Sequence, residues 1–229
     1  MVLKSFCILT IFTQHIITTM KHRNQTRKEE LANAISHGLG VLFCIIAMPI
    51  VLAITYDSND LSTFYSVAAF AIGMFLVYSC STFYHFVQKE KSKNLLKIAD
   101  HISIYFLIAG TYTPLMIKYL PSETAFIFLT TMWTVVFLGM FFKIFFINRF
   151  EWLSVVLYLI MGWMIVFVIK PLIDTVPLEV FWWILSGGLS YTIGVYFYVK
   201  SYKLYFHTIW HGFVLLGTIL HFIAIYKSL

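Results

Sequence analysis

The sequence contains few charged residues for a chain of 229. Only 11% of its residues are charged, whereas 60% are hydrophobic and 19% are aromatic, and its mean hydropathy is +0.85. An average soluble domain has about 25% charged residues. The composition therefore excludes an ordinary soluble domain and predicts an integral membrane protein.

Cysteine is scarce as well, and no two cysteines form a CxxC motif. Cys7, Cys44 and Cys80 each lie inside an apolar stretch. This spacing excludes a disulfide framework and a thiolate zinc site. We expect all three to be small buried hydrophobic residues.

The net charge of +6 would suggest nucleic-acid binding in a soluble chain. Here the basic residues lie in short connectors between apolar runs, where they set the orientation of a membrane protein. We therefore expect membrane lipids as partners and no nucleic acid.

Seven apolar runs are long enough to cross a bilayer, which takes about 20 residues. The connectors between them are too short to house a soluble domain, and no internal repeat is evident. The sequence predicts an all-α fold, an integral membrane seven-transmembrane helix bundle over residues 31–229, preceded by an N-terminal segment, 1–30. The predicted spans are 31–54, 61–87, 98–117, 124–146, 152–169, 178–199 and 206–226.

Basic residues are distributed unequally between the two sides of this predicted bundle. Since positive charge marks the cytoplasmic side, we expect the N-terminus in the cytoplasm and the C-terminus outside. One side has twelve and the other three: Lys21, Arg23, Arg27, Lys28, Lys89, Lys91, Lys93, Lys97, Lys143, Arg149, Lys200 and Lys203, against Lys118, Lys170 and Lys227.

The first 19 residues allow three interpretations. Their apolar, Thr-rich run is too short to span a membrane and has no clear cleavage site. It fits a weak signal-like segment, an interfacial helix, or an artefact of the chosen start site, because Met20 begins a basic stretch typical of a cytoplasmic N-terminus.

The seventh predicted span contains two histidines in a membrane-length apolar run. His207 and His211 are four residues apart and share one helix face. An imidazole at that depth is costly unless it meets water, a polar group or a metal. The pair is therefore a candidate functional site.

Three further polar residues are predicted at the same depth as this pair. Ser81 and His85 lie near the cytoplasmic end of the second span, and Asp100 lies in the first turn of the third. All five residues fall within roughly two helical turns of the cytoplasmic surface. Three imidazoles with an open fourth position are typical of catalytic Zn²⁺.

Each of these predicted catalytic and metal-binding residues also has a purely structural interpretation. His85 could form an ordinary interhelical hydrogen bond, Ser81 could bond to its own helix, and Asp100 could favour a helix dipole. In the zinc interpretation, Asp100 orients or deprotonates a water and Ser81 hydrogen-bonds to it or to an oxyanion.

Other histidines are weaker candidates. His101 points away from Asp100 on a helix, and His221 lies about 15 Å beyond His211, so we expect it to meet a neighbouring helix or the outer interface. His37 is nearer the right depth and could line the entrance. Glu30 is expected to be solvated, and His15 and His22 are exposed or undefined.

Four motifs in this order resemble the hemolysin III family, a group related to the progestin and adiponectin receptors and more distantly to the alkaline ceramidases. They are Glu29–Gly38 (EELANAISHG), Ser81–His85 (STFYH), Lys97–Asp100 (KIAD) with Ala109–Pro114 (AGTYTP), and His207–His211 (HTIWH) with His221.

The resemblance implies that His85, His207 and His211 bind zinc, with Asp100 and Ser81 contacting a metal-bound water. It implies a multi-pass protein of the bacterial plasma membrane, and the ceramidase kinship suggests hydrolysis of a lipid amide or ester. Two alternatives stay open: a pore-forming cytolysin, and a zinc-stabilised sensor of membrane lipid state.

Overall fold

The computed structural model describes residues 23–58, 60–146 and 151–229, and these contain helices and turns but no strand. The predictions for residues 1–19, Lys21, His22 and Arg149 lie outside the described residues. The helices are α1 (Arg27–Asp57), α2 (Leu61–Phe86), α3 (Glu90–Tyr119), α4 (Ser122–Phe146), α5 (Glu151–Gly162), α6 (Ile169–Thr175), α7 (Leu178–Val199) and α8 (Phe206–Ser228), with a 3₁₀ segment, Met164–Val168, between α5 and α6.

Within the described ranges, six helical spans have the length and apolarity needed to cross a membrane: α1, α2, α4, α5 continuing into α6, α7 and α8. The predicted third span, 98–117, lies in α3. That helix has 30 residues, but polar side chains such as His101 and Thr111 interrupt its apolar residues. An all-helical membrane bundle is confirmed, whereas the seventh crossing and the orientation remain predictions.

Three predicted spans differ clearly from the observed helices, and one of these is α3, which begins at Glu90 instead of residue 98. The first helix begins at Arg27 instead of residue 31, because Thr26 and Glu29 form a reciprocal capping box. The fifth span is broken after Gly162, whose carbonyl accepts a hydrogen bond from the Tyr112 hydroxyl at 2.5 Å. Its helix then resumes and ends at Thr175, so most of the predicted connector is helical.

Helices α2 and α3 approach each other closely through glycine. A Cβ at Gly73 would lie 2.7 Å from the Phe106 carbonyl oxygen, and one at Gly110 would lie 2.8 Å from that of Ala69. Small residues allow such backbone contact between membrane helices. The contact aligns the end of α2, with Ser81, beside the start of the apolar part of α3, with Asp100.

Around the bundle, neighbouring helices follow the order α1, α2, α3, α5, α7, α8, and α8 returns to α1, while α4 packs against α3. The span formed by α5 and α6 is the least buried of the six, since only 22% of its most apolar stretch of 18 residues is buried. This loosely covered side is where an internal cavity lies.

Candidate metal centre

Three histidines converge at one end of the bundle. His85 lies in the last turn of α2, and His207 and His211 lie in the first two turns of α8. One ring nitrogen from each lies within 4.8 Å of the others. His85 and His211 are 2% exposed, and His207 is half-buried. We call these residues the three-histidine cluster.

Asp100 and Ser81 lie beside the cluster, as the sequence predicted. Ser81 is one turn before His85 on α2 and is 1% exposed. Its hydroxyl faces the Asp100 carboxylate, which is also within electrostatic range of His85. The five predicted site residues therefore lie together, although their positions alone do not assign their roles.

The His85 ring is oriented by a carboxylate from α1. Its Nδ1 lies 2.8 Å from Glu30 Oε2. An ionised carboxylate only accepts hydrogen bonds, so Nδ1 carries a proton, and in the neutral ring Nε2 then has the lone pair. Nε2 is buried and has no hydrogen-bond partner among the described residues. A metal ion would satisfy that nitrogen.

His211 is oriented in the same way by other groups of α1. Its Nδ1 lies 2.9 Å from Ser36 Oγ and 3.3 Å from the Asn33 carbonyl oxygen. Ser36 Oγ donates its own proton to that carbonyl at 2.8 Å, so it accepts from His211 Nδ1–H. The His211 Nε2 lone pair is therefore available to the cluster.

The start of α8 is also tied to α1. Glu29, which is 3% exposed, accepts from the Tyr205 backbone N–H at 3.1 Å and pairs with Arg23 at 2.5 Å. Tyr205 has φ 59°, an uncommon backbone conformation for a bulky residue. Thr208 donates to the Asn33 side-chain oxygen at 2.5 Å. These contacts hold the turn that precedes His207.

Helix α1 thus contacts the cluster through residues that the sequence analysis did not select for the site. Glu30 was expected to be solvated, and this was wrong: its side chain is 12% exposed because it contacts His85 and Lys93. A signal was present, since Glu29, Asn33 and Ser36 form a polar stripe at helical spacing. The sequence alone did not mark this stripe as part of the site, because none of its three residues is a predicted metal ligand.

The remaining described histidines lie outside the cluster. His221 Nε2 donates to the Ile184 carbonyl on α7 at 3.0 Å, which confirms that it meets a neighbouring helix. His101 Nδ1 lies 3.2 Å from the ammonium of Lys143, which is only 1% exposed. His37 stacks on His211 with ring centroids 3.6 Å apart, and neither of its nitrogens has a partner among the described residues.

The donor set fits a metal ion. Ligating histidines in proteins usually donate their other ring N–H to a carboxylate, a carbonyl or a water, and His85 and His211 both have such an acceptor. Three histidines that present ring nitrogens to one point leave a fourth position open. The described residues can therefore hold a metal ion at this cluster.

An apolar cavity of about 200 Å³ is lined by Tyr198, Trp210 and His221 but by no residue of the three-histidine cluster. It follows α7 from Phe181 to Tyr198, about 25 Å at 1.5 Å per residue. The Tyr198 ring lies 5.9 Å from that of His207. On the opposite wall, Trp163 and Val166 line the cavity and are also exposed on the surface, so this wall is open towards lipid.

Comparison with known proteins shows similarity along nearly the whole chain. Residues 25–222 match the family described as Haemolysin-III related. The chain is 38% identical to the Hemolysin-3 homolog of Bacillus subtilis (strain 168) over 200 residues, 87% of this chain and 94% of that protein. It is 37% identical to Hemolysin-3 of Bacillus cereus over 206 residues, 90% of this chain and 94% of that protein.

A more distant similarity extends to animals. The chain is 24% identical to the Monocyte to macrophage differentiation factor of Homo sapiens over 224 residues, 95% of this chain and 92% of that protein. The match over residues 25–222 and the two bacterial relatives together establish that this chain belongs to the haemolysin-III related family.

Proposed function

We propose that this chain is a zinc-dependent hydrolase of lipid amides or esters in the bacterial plasma membrane. The supporting observation is that the three-histidine cluster, with oriented His85 and His211 rings, lies near a lipid-facing apolar cavity, whose wall residue Tyr198 contacts the His207 ring. A zinc-dependent lipid hydrolase uses both features, because the metal acts on the scissile carbonyl and an apolar cavity holds the chain attached to it.

His85, His207 and His211 would hold the zinc ion. Bound there, zinc supplies Lewis acidity to a carbonyl oxygen and acidifies a water. The Asp100 carboxylate accepts the proton of the attacking water as a general base. As the water oxygen adds to the carbonyl carbon and the C–N or C–O bond breaks, Asp100 returns that proton to the leaving amine or alkoxide.

Ser81 and the aromatic wall have supporting roles in this mechanism. The Ser81 hydroxyl faces Asp100, so it holds the carboxylate in position or donates to the developing oxyanion. Tyr198 and Trp210 pack with ring centroids 5.4 Å apart where the cavity approaches His207. They keep bulk water away from the reacting carbonyl, while the acyl chain lies along α7.

The membrane arrangement that accompanies this function is a seven-span bundle with a cytoplasmic N-terminus. Helix α3 would be the third crossing. It packs against α2, α4, α5 and α8, and a helix surrounded by protein needs fewer apolar side chains than one that faces lipid. The excess of basic residues on the side of the three-histidine cluster favours placing that cluster near the cytoplasm.

The direct test measures metal and hydrolysis in the same preparations. We expect about one zinc per chain in purified wild type, and its loss in His85→Ala and His207→Ala. With zinc bound, the wild type should release fatty acid from a fluorescent long-chain N-acyl amide or the matching ester. Stoichiometric zinc without hydrolysis of either probe would reject the enzyme and favour the zinc-stabilised lipid sensor.

A second candidate function follows from the name of the Bacillus cereus relative, Hemolysin-3. A pore-forming cytolysin would lyse red cells when added as purified protein, and lysis would not depend on the cluster. Equal lysis by wild type and His207→Ala, with no hydrolysis by either, would support the cytolysin. The aromatic, lipid-facing bundle favours a resident membrane protein.

A further inference from the structure

The Glu30 side chain lies between a cation and a histidine of the cluster. Its Oε2 lies 2.8 Å from His85 Nδ1, and its Oε1 accepts from the Lys93 ammonium at 2.8 Å. Both oxygens therefore have a directed contact, and the side chain is 12% exposed. A carboxylate held at both oxygens cannot turn away from the imidazole without losing a charge-assisted bond.

The contact determines which nitrogen His85 presents. In the neutral ring, one nitrogen donates and the other accepts. Asn33 Nδ2 also approaches Nδ1, at 3.5 Å, but an amide N–H can only donate to that atom. If the amide were the partner, the ring proton would move to Nε2 and block the metal-facing lone pair. The acceptor-only carboxylate of Glu30 favours the competent form.

We propose that Glu30 is the positioning residue of the metal centre: it holds the proton of His85 on Nδ1 and so presents Nε2 to the ion, with Lys93 fixing the carboxylate. This inference rests on the metal binding in the proposed function, but not on hydrolysis. It extends the site to α1, which supplies no ligand.

The structure offers a closely matched control. Glu179 also forms an ion pair with a lysine, Lys227, at 2.7 Å, but it lies on α7 and contacts no histidine of the cluster. Glu179→Gln removes the same charge and breaks the same kind of pair. Glu179 is 64% exposed and Glu30 is 12% exposed, so this control excludes a general effect of removing a paired carboxylate, and the Co²⁺ spectrum described below assigns the loss to the contact with His85.

The measurement is zinc affinity of the purified full chain by competition with a chromophoric chelator. Loss of a group that orients a metal-binding histidine costs about 10- to 100-fold in metal affinity. We expect a loss in that range for Glu30→Gln, a smaller loss for Lys93→Met, and no change for Glu179→Gln. The visible absorption spectrum of the Co²⁺-loaded protein should also change in Glu30→Gln. If Glu30 formed only a structural ion pair with Lys93, no such change would be expected.

The possible results separate the inference from the proposed enzyme, and two of them would overturn the inference. Wild-type affinity in Glu30→Gln, alongside lost binding in His85→Ala, would leave the proposed enzyme intact and remove the role of Glu30. Metal binding without hydrolysis would remove the enzyme and leave Glu30 in place. If wild type bound no zinc, both would fail.

A second measurement is needed if Glu30→Gln does not fold. In that case ¹⁵N-histidine NMR of the metal-free wild type decides the question, with the His85 signals assigned by comparison with His85→Asn. A proton on Nδ1 supports the inference, and a proton on Nε2 overturns it.

Discussion

His211 and His221 are two histidines of the same helix in opposite situations. They are 2% and 8% exposed. His211 donates through Nδ1 to groups of α1, which leaves Nε2 for the cluster. His221 uses Nε2 for the Ile184 carbonyl. Burial alone therefore does not indicate whether a histidine in a membrane helix binds a metal. The hydrogen-bond partners of its two ring nitrogens must be known as well.

The polar groups around the three-histidine cluster also differ from those around His221. The end with the three-histidine cluster contains ion pairs, including Glu30 with Lys93 and Lys97 with Glu151. Near His221 the polar groups are hydroxyls: Thr218 accepts from Tyr78 and Tyr191, each at 2.7 Å, and donates to the Val214 carbonyl at 3.0 Å. The end with the three-histidine cluster can hold a metal ion. The hydroxyls of Tyr78, Tyr191 and Thr218 instead connect α2, α7 and α8.

The sharpest way to break this comparison is to remove one histidine from each region. We expect His207→Ala to lose essentially all bound zinc, since two of three ligands rarely retain the ion at micromolar chelator. His221→Ala should keep stoichiometric zinc and lose only stability. Metal analysis after purification checks both, and equal zinc in the two variants would contradict the distinction.

Asp100→Asn tests whether the end with the cluster performs chemistry beyond metal binding. The variant keeps the shape and loses the general base, which typically contributes about 10²- to 10⁴-fold. We expect hydrolysis of the N-acyl amide to fall in that range with zinc retained. Exposed Asp174→Asn is the control, and an unchanged rate in Asp100→Asn would remove the base from the mechanism.

A larger side chain in the cavity should reduce turnover of the substrate without changing the zinc content. Gly188 lines the cavity, and a Cβ added there meets no atom within 4 Å. Gly188→Leu should reduce turnover of a long-chain probe about tenfold or more, a typical effect of extra atoms in an apolar pocket, with zinc content unchanged. Gly38→Leu, also in a helix and facing open space outside the cavity, should have no effect.

Thr218→Val tests the structural role of the middle region. The substitution removes the acceptor of the buried Tyr78 hydroxyl and of the partly buried Tyr191 hydroxyl, and we expect a loss of about 1–3 kcal/mol in the free energy of unfolding. Zinc binding should be retained. Thr131, whose exposed hydroxyl bonds to its own helix, provides the control Thr131→Val, and equal unfolding curves for the two variants would refute the role.

Much of the helical architecture could be predicted, because the hydropathy of a segment depends only on the residues of that segment. The bounds of α2, α7 and α8 differ from the prediction by two residues or fewer at either end. The break after Gly162 could not be predicted, because it depends on a hydroxyl from α3 that binds the Gly162 carbonyl. The third crossing, 98–117, stays a prediction, because α3 packs against α2, α4, α5 and α8 and is less apolar than the six other spans.

The sequence predicted that Ser81, His85, Asp100, His207 and His211 lie at one end of the bundle, but it did not predict the α1 residues that contact them. Spacing of four residues placed Ser81 with His85 and His207 with His211, and alternating helix direction brought Asp100 to the same end. Glu30 and Ser36 were missed as partners. Their roles depend on which side of α1 faces α2 and α8, and on which ring nitrogen each histidine turns towards them.

The sequence by itself determined that this is a helical membrane protein and which residues share a depth, because transfer of apolar segments into lipid and the rise of a helix are properties of single segments. Only the tertiary structure decided that His85 and His211 turn Nδ1 towards acceptors of α1, whereas His221 turns Nε2 towards an acceptor of α7. That distinction depends on acceptor atoms from helices distant in the chain, placed within 3.3 Å of a ring nitrogen by packing.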